Sequence, residues 1–560
     1  MPLSEFSDQL HAEKYRAPGE SFRESMCRIA AALKDSDEHF HAFKEILENQ
    51  RFLPAGRIQA AMGSPRRITA YNCAVAPTIA DSFTDGSNSI MAVATKAAQT
   101  MRMGCGIGYD FSTLRPRGAQ IKTLGSRSSG AVSFMEIFDA VCRATMSAGH
   151  RRGAQMGCLR VDHPDIEEFI RAKQNQYKLT GFNISVAITD EFMSALETGK
   201  PFALRWGGQE HEQIDARALW EEIMRSTWDW AEPGVMFIDT INNMNNLWYC
   251  ETIAATNPCG EVPLPPNGTC LLGSFNLVKY VSPNRMFNYK QLHQDIIEVI
   301  RAMDNVVDRT IYPLEAQELE ARRKRRMGIG VTGLANALEI LGFSYGSPVF
   351  LEMTRNILSF LRDRCYTESA LLAMEKGPFP LFDKDKYLAG KFTERLPPAV
   401  RDLIAAHGIR NSHLLSIAPT GTISLCANNI SSGIEPPFSL ETIRKIRDFD
   451  TTREVLVHDY TYAEFGIRGK TATECTTNEH LDVLSMVQFH VDAAVSKTIN
   501  VDPKTPWSDF ESIYTKAWEC GCKGITTYNP AGKREGILTE APKPIACYVD
   551  PTTGAKSCDE

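Results

Sequence analysis

Apolar residues recur at helical spacing through the first fifty positions, and this predicts a helical N-terminal region over 1–50. Pro54 and Gly56 break that pattern, and the run Tyr71–Ala76 reads as a short strand. Helical periodicity returns at about 88–103, 134–148, 189–198, 217–231, 288–308, 313–341, 348–376 and 478–495, and Asp162-His163-Pro164-Asp165 opens a further helix. Short apolar runs at 270–277, 413–418, 496–501 and 524–528 predict strands. Gly104–Gly108 reads as a glycine-rich turn and Ala148–Met156 as a loop. Strands alternating with long helices predict an α/β fold around a central sheet. No internal repeat or clear linker divides the chain, and the polar segment from Pro542 onward is expected to be mobile.

At 560 residues the chain is long enough to enclose a dry site. Its net charge of −7 offers no basic surface for nucleic acid or an anionic membrane. The basic run Arg322–Arg326 is expected to be a solvated helix face. The N-terminus has no apolar signal core, and no run of about 18 apolar residues is long enough to span a bilayer, so a soluble cytoplasmic enzyme is expected. The fifteen cysteines, with no secretion signal, read as reduced thiols rather than a disulfide framework.

Candidate chemistry centres on Asn257-Pro258-Cys259-Gly260-Glu261. In an extended loop, positions i, i+2 and i+4 face the same way, so amide, thiol and carboxylate would meet one small substrate. A Pro-Gly turn holding a buried cysteine accounts for the same string. Cys270 follows eleven residues after Cys259, and Cys73 begins another strand-like run far upstream. Spacing does not establish that Cys73 and Cys270 meet, and either also reads as a core cysteine. A cysteine hydrolase would need a histidine base, and none stands near Cys259, Cys73 or Cys270 in sequence. Cys520 and Cys522 with Cys547 and Cys558 make four thiols, but their uneven spacing argues against zinc, and no metal site is expected.

The string Asn257–Glu261, followed by the cysteine run ending Ser274-Phe275-Asn276-Leu277, resembles the radical loop of ribonucleotide reductases. Three further segments agree, in consistent order. They are Phe52–Ile58 leading to Asn72-Cys73, Gly106–Pro116, and Ala418–Ser424 with Gly433-Ile434-Glu435-Pro436-Pro437 behind it. The resemblance implies a ten-stranded α/β barrel over 51–535, with a central finger loop carrying the radical and a redox-active tail over 536–560. It implies that Cys259 becomes a thiyl radical and abstracts the ribose 3′-hydrogen. Glu261 would take the 3′-hydroxyl proton and Asn257 would bind the sugar hydroxyls. Cys73 and Cys270 would supply reducing equivalents at C2′ and close into a disulfide. Pro419, Thr420, Gly421, Thr422 and Ile423 would cradle the substrate phosphates at a helix start, with Asn72, Gly56 and Arg57 nearby. A nucleotide-binding protein with a dead barrel is argued against by retention of all five residues Asn257, Cys259, Glu261, Cys73 and Cys270.

Relatives that import the radical from a second subunit use two adjacent tyrosines, whose place here is taken by Thr526-Thr527, with Tyr528 one position off. No glycyl-radical sequence is found near the C-terminus. The resemblance therefore points to the adenosylcobalamin-dependent class, with a subunit-fed catalytic chain as the alternative. Barrel motifs begin near residue 52, which leaves no room for an N-terminal ATP-sensing domain. Asp81 and Ser82 resemble the base of an allosteric specificity site for dNTP or ATP effectors, and Arg151, Arg152 and Gln155 lie in the loop between effector and substrate. Cys547 and Cys558, with ten residues between them, would pass electrons from thioredoxin or glutaredoxin, although relatives commonly space this pair more closely. A homodimer is the family habit.

Overall fold

The computed structural model describes residues 3–122, 124–147, 151–175, 177–447, 452–533, 539–540, 547–549 and 556–558. Three helices, Glu5–Tyr15, Phe22–Leu33 and Asp37–Glu48, form the N-terminal region. Ser4, Ser21 and Ser36 cap them, each hydroxyl accepting from a backbone N–H of the first turn. The second and third lean on the long helix Tyr289–Arg309, where Asn305 Nδ2 donates to Leu33 O at 2.8 Å and Arg51, just past the third, pairs with Asp295 at 2.7 Å.

The central sheet has ten strands. In chain order they are β1 (Phe52–Pro54), β2 (Cys73–Val75), β3 (Gly106–Asp110), β4 (Gln155–Arg160), β5 (Phe182–Ile188), β6 (Gly234–Phe237), β7 (Thr269–Asn276), β8 (Met327–Thr332), β9 (Thr498–Asn500) and β10 (Gly524–Tyr528). Strands β2 to β6 run parallel in chain order, as a half-barrel built from strand–helix–strand crossovers. β7 pairs parallel with β8, and β9 parallel with β10. The two halves join antiparallel at β2/β7 and at β6/β10.

The ring closes through the extended segment 413–417. It bridges parallel to β8 at Ile329↔Leu415 and to the run before β9 at Ile417↔Val495. Hydrogen bonds from Ser416 N to Ile329 O and from Ile417 N to Ala494 O continue both seams. Strands β2 to β10 plus this segment make ten staves, while β1 lies outside the ring on the edge of β7. The expected ten-stranded α/β barrel is thus the architecture.

Burial divides the apolar residues into two groups. The larger fills the space between barrel and helices. The smaller lies inside the barrel and includes Cys73, Val75, Met156, Cys158, Cys270 and Leu272, packed with Ala255, Val262 and Leu264 of a hairpin that enters the lumen.

Several expectations are corrected. Gly104–Gly108 is not a turn throughout, because Gly106–Asp110 is barrel strand β3. The predicted helix over 313–341 is two helices, Glu315–Lys324 and Leu334–Ile340, flanking β8. Strand β4 begins inside the segment read as a loop, while β5 and β6 were not anticipated. The basic run Arg322–Arg326 is not a solvated face over its last three residues. Lys324, Arg325 and Arg326 are buried and paired with carboxylates, among them Glu320 of the helix that the run ends. Lys324 meets Glu251 at 2.8 Å, Arg325 meets Asp304 at 2.8 Å, and Arg326 meets Glu320 at 3.2 Å. Isolated buried charges would be costly, and this mutual pairing offsets the desolvation.

Candidate active site in the barrel lumen

The lumen hairpin pairs Ala255–Thr256 antiparallel with Pro263–Leu264, and residues 257–262 form its tip. It lies close against the wall. A Cβ at Gly108 would sit 1.8 Å from Thr256 O, so only glycine admits the hairpin there. The tip is a tight turn rather than the extended loop the spacing suggests. Gly260 takes φ +79°, and its N–H donates to Asn257 O at 3.0 Å. The turn folds Asn257 and Glu261 side by side in the interior and leaves Cys259 exposed at the apex.

Asn257 is the hub of the site. Its Oδ1 accepts from Val262 N at 2.9 Å, which fixes the amide's orientation. Its Nδ2 then donates to Glu261 Oε2 at 2.8 Å and to Cys73 Sγ at 3.1 Å. Glu261 Oε1 stands 4.0 Å from Cys73 Sγ. Cys73 and Cys270 are directly opposed partners across the antiparallel β2/β7 seam. Such partners have Cα atoms roughly 4.5–5.5 Å apart, within the range a disulfide bridges. Both are free thiols here.

Electrostatics follow from dryness. Burial raises Glu261 from 4.5 to about 7, partly opposed by the Asn257 hydrogen bond. Burial also pushes the Cys73 thiol up, and neighbouring Glu261 pushes it further. Cys270 is raised by burial, with Arg326 pulling the other way. Both sulfurs are therefore held as neutral thiols, the form that can give up hydrogen, beside a carboxyl poised to exchange a proton near neutrality.

Beside the tip, Asn183, Ser185, Gly234 and Thr526 face the lumen from β5, β6 and β10. Gly234 pairs with Ser185 on β5 and, by continuation of the β6/β10 register, faces Thr526. This wall is small and polar, and Asn183 and Thr526 are exposed.

The candidate phosphate turn precedes the short helix Gly421–Leu425. Thr420 adopts a left-handed φ of 52°, held there as its hydroxyl accepts from Gly433 N at 2.8 Å and meets Thr332 Oγ1 at 2.9 Å. Gly421 is exposed, with open space where a Cβ would be. Pro419 and Thr422 are half-buried and Ile423 is buried. Arg57 is buried, and Gly56 begins the helix Gly56–Ala61 beneath Tyr15. Asn72 Oδ1 is buried without a hydrogen-bond partner. Glu435 of the Gly-Ile-Glu-Pro-Pro string has a structural part: it pairs with buried Lys497 at 2.7 Å and accepts from Thr498 N at 2.7 Å, anchoring β9.

The allosteric candidates lie on several elements. Asp81 accepts from Arg115 Nε at 2.8 Å and Arg115 N at 3.0 Å, and Ser82 Oγ accepts from Asp85 N at 3.0 Å. Arg151-Arg152 pair with Met146-Ser147 as a short ribbon, and residues 148–150 lie outside the described residues. Gln155 is buried, its amide taken by Tyr109 Oη at 2.7 Å and Phe138 O at 3.2 Å. In the tail, Cys547 and Cys558 are backbone partners across an antiparallel pair. Among the described residues no cluster of His, Cys, Asp and Glu is arranged to hold a metal ion.

Sequence reasoning missed the residues that grip the finger, Asn183, Ser416 and Ala494. They come from distant staves and form no motif.

A family model, ribonucleotide reductase, barrel domain, matches residues 72–528. The vitamin B12-dependent ribonucleoside-diphosphate reductase of Mycobacterium tuberculosis is 34% identical, over 97% of this chain and 80% of that protein. The protein of the same name from Thermoplasma acidophilum is 32% identical, over 93% of this chain and 69% of its own length. The vitamin B12-dependent ribonucleotide reductase of Streptomyces clavuligerus is 26% identical over 94% of this chain. A lumen finger with a cysteine at its apex, an opposed cysteine pair behind it and a match spanning the whole barrel lead to one conclusion: this chain belongs to the ribonucleotide reductase family.

Proposed function

We propose that the chain reduces ribonucleoside diphosphates to 2′-deoxyribonucleotides through a thiyl radical at Cys259, with adenosylcobalamin as the radical source. The observation that carries this reading is the constellation in the lumen: an exposed Cys259, a buried Asn257–Glu261 pair, and the opposed thiols Cys73 and Cys270. The relatives' vitamin B12 dependence supports the cofactor. Asn183 and Thr526, exposed on the small polar wall that Ser185 and Gly234 complete beside Cys259, would line the cofactor's place. Thr526 and Thr527 offer no redox-active ring for importing a radical from another subunit.

Adenosylcobalamin, when bound, supplies the radical equivalent through homolysis of its cobalt–carbon bond. The Cys259 sulfur takes the ribose 3′-hydrogen atom, forming S–H as C3′–H breaks. Glu261, ionised above about 7, accepts the 3′-hydroxyl proton, and Asn257 Nδ2 orients both the carboxylate and Cys73. The 2′-hydroxyl leaves as water with a proton from the Cys73 side. Cys270 gives its hydrogen atom to C2′ as the two sulfurs join. The resulting disulfide radical anion passes its extra electron to the C3′ ketone as Glu261 returns the proton to the 3′-oxygen. Cys259 then returns its hydrogen to C3′, leaving a Cys73–Cys270 disulfide and the Cys259 thiyl.

The phosphates would rest on the turn Pro419–Ile423, where N–H groups at a helix start attract anions, with Asn72, Gly56 and Arg57 nearby. Cys547 and Cys558, opposed in a ribbon, would carry electrons from thioredoxin or glutaredoxin. Asp81, Ser82 and Arg151-Arg152 would receive a dNTP or ATP effector, with Gln155 acting in the wall behind them. Phe83 and Met91, exposed beside them, support a homodimer contact. No helix among the described residues is long and apolar enough to cross a membrane, in keeping with a cytoplasmic enzyme. The test is CDP turnover with adenosylcobalamin and dithiothreitol and no second protein. Cofactor-dependent dCDP is expected, and activity only with an added radical-generating subunit would overturn the cofactor reading.

A further inference from the structure

The finger tip carries the one thiol that must reach a substrate hydrogen, yet it is a turn with Cys259 exposed at its apex. Two backbone carbonyls flank Cys259 in sequence within three residues. Pro258 O accepts from Asn183 Nδ2 at 2.9 Å, across from β5. Glu261 O accepts from Ser416 Oγ at 2.9 Å and from Ala494 N at 2.9 Å, from the opposite half-barrel. Elsewhere on the wall Asn183 has no task that packing demands. It is exposed, whereas the next five residues of β5, Ile184 to Ile188, are buried.

We infer that Asn183 and Ser416 are opposed tethers that fix the height and tilt of Cys259 in the lumen, and so act as positioning residues for hydrogen abstraction. This rests on the reading of Cys259 as the radical site. The physical basis is simple. A carbonyl at a turn apex in an accessible chamber exchanges readily with water unless a protein donor holds it. Hydrogen-atom transfer is steep in distance, and misplacement by about 1 Å can cost on the order of 100-fold in rate. Asn183 bonds the finger at Pro258 O, whereas Ser416 also borders Gly328 beside Cys270. Loss of the Asn183 bond should lower kcat and leave the substrate KM in place.

The experiment uses the full chain with adenosylcobalamin and CDP, comparing Asn183→Ala, Asn183→Asp, Ser416→Ala and Cys259→Ser. Asn183→Ala is expected to lower kcat by about 10- to 100-fold with KM within twofold. Hydrogen exchange at the Cys259 and Gly260 amides, measured without cofactor, should speed up in the same variant. Asn183→Asp keeps size and shape but donates only when protonated. Its kcat relative to the unaltered enzyme should therefore rise as pH falls from 8 to 5, a trend that a space-filling role would not produce. Unchanged kcat and unchanged exchange in Asn183→Ala, with Cys259→Ser inactive, would overturn the tether inference alone. An active Cys259→Ser would instead overturn the reading of Cys259 on which it rests. A pH-independent ratio for Asn183→Asp would also count against donation to Pro258 O.

Discussion

Replacing Glu261 by glutamine separates its chemical part from its thermodynamic cost. Burial raises its carboxyl from 4.5 to about 7. Below 4.5 both folded and unfolded chains carry the proton, and the group costs nothing. As pH rises from 4.5 to 7 the unfolded chain ionises while the folded chain holds its proton, so stability is lost across that window. Above 7 the full cost applies, about 3 kcal/mol at roughly 1.4 kcal/mol per pH unit. Glutamine nearly matches the shape and carries no charge to desolvate. Glu261→Gln should therefore gain on the parent by about 3 kcal/mol between pH 4.5 and pH 8, less whatever the altered contact with Asn257 takes back. Urea midpoints of both proteins, taken across that range, report the difference directly. The same carboxyl must be ionised to accept the 3′-hydroxyl proton. The parent's kcat should fall about tenfold per unit below pH 7 and level off above it, and Glu261→Gln should be slower by about 100-fold or more. A stability difference that does not change with pH, or a flat rate profile through 7, would refute the placement of an ionisable base in a dry site.

Three further outcomes follow from the same geometry. One turnover without reductant should leave a Cys73–Cys270 disulfide by peptide mapping, and Cys73→Ser or Cys270→Ser should block normal turnover; finding both thiols free after product forms would exclude the pair. Gly108→Ala should displace the finger, because the new methyl would overlap Thr256 O at 1.8 Å, and should lower both thermal stability and turnover; full activity would mean the hairpin seats elsewhere. Cys547→Ser and Cys558→Ser should keep turnover with dithiothreitol but stop after about one cycle with thioredoxin, since exchange needs direct sulfur access. Undiminished thioredoxin-driven turnover would remove the tail from the electron path.

The chemistry was more legible in the sequence than the barrel that houses it. Asn257, Cys259 and Glu261 are close in the chain, so one turn assembles most of the site. Cys73 and Cys270 are nearly two hundred residues apart, and only the antiparallel join between half-barrels makes them neighbours. Strands β4 and β6 escaped because barrel staves buried on both faces lack polar alternation, whereas β5 does alternate over Phe182-Asn183-Ile184-Ser185-Val186 and was passed over. Met327-Gly-Ile-Gly-Val-Thr was absorbed into a flanking helix pattern, although Gly330 leaves space for Ser416 O that a side chain would fill. The buried cations Lys324 and Arg326 looked solvated because their partner Glu251 lies more than seventy residues upstream. Asn183 and Ser416 gave no signal for the same reason, since each reaches the finger only across the closed lumen.

The most direct test of the central claim is product formation from CDP by the purified chain and by Cys259→Ser, each with and without adenosylcobalamin, with dithiothreitol as reductant and no other protein present. The account predicts dCDP only from the unaltered chain with the cofactor, while Cys259→Ser, folded and with free Cys73 and Cys270, makes none, because an O–H bond is too strong to cycle reversibly with the ribose C3′–H. Deoxyribonucleotide formed by Cys259→Ser, or by the unaltered chain without cobalamin, would contradict it.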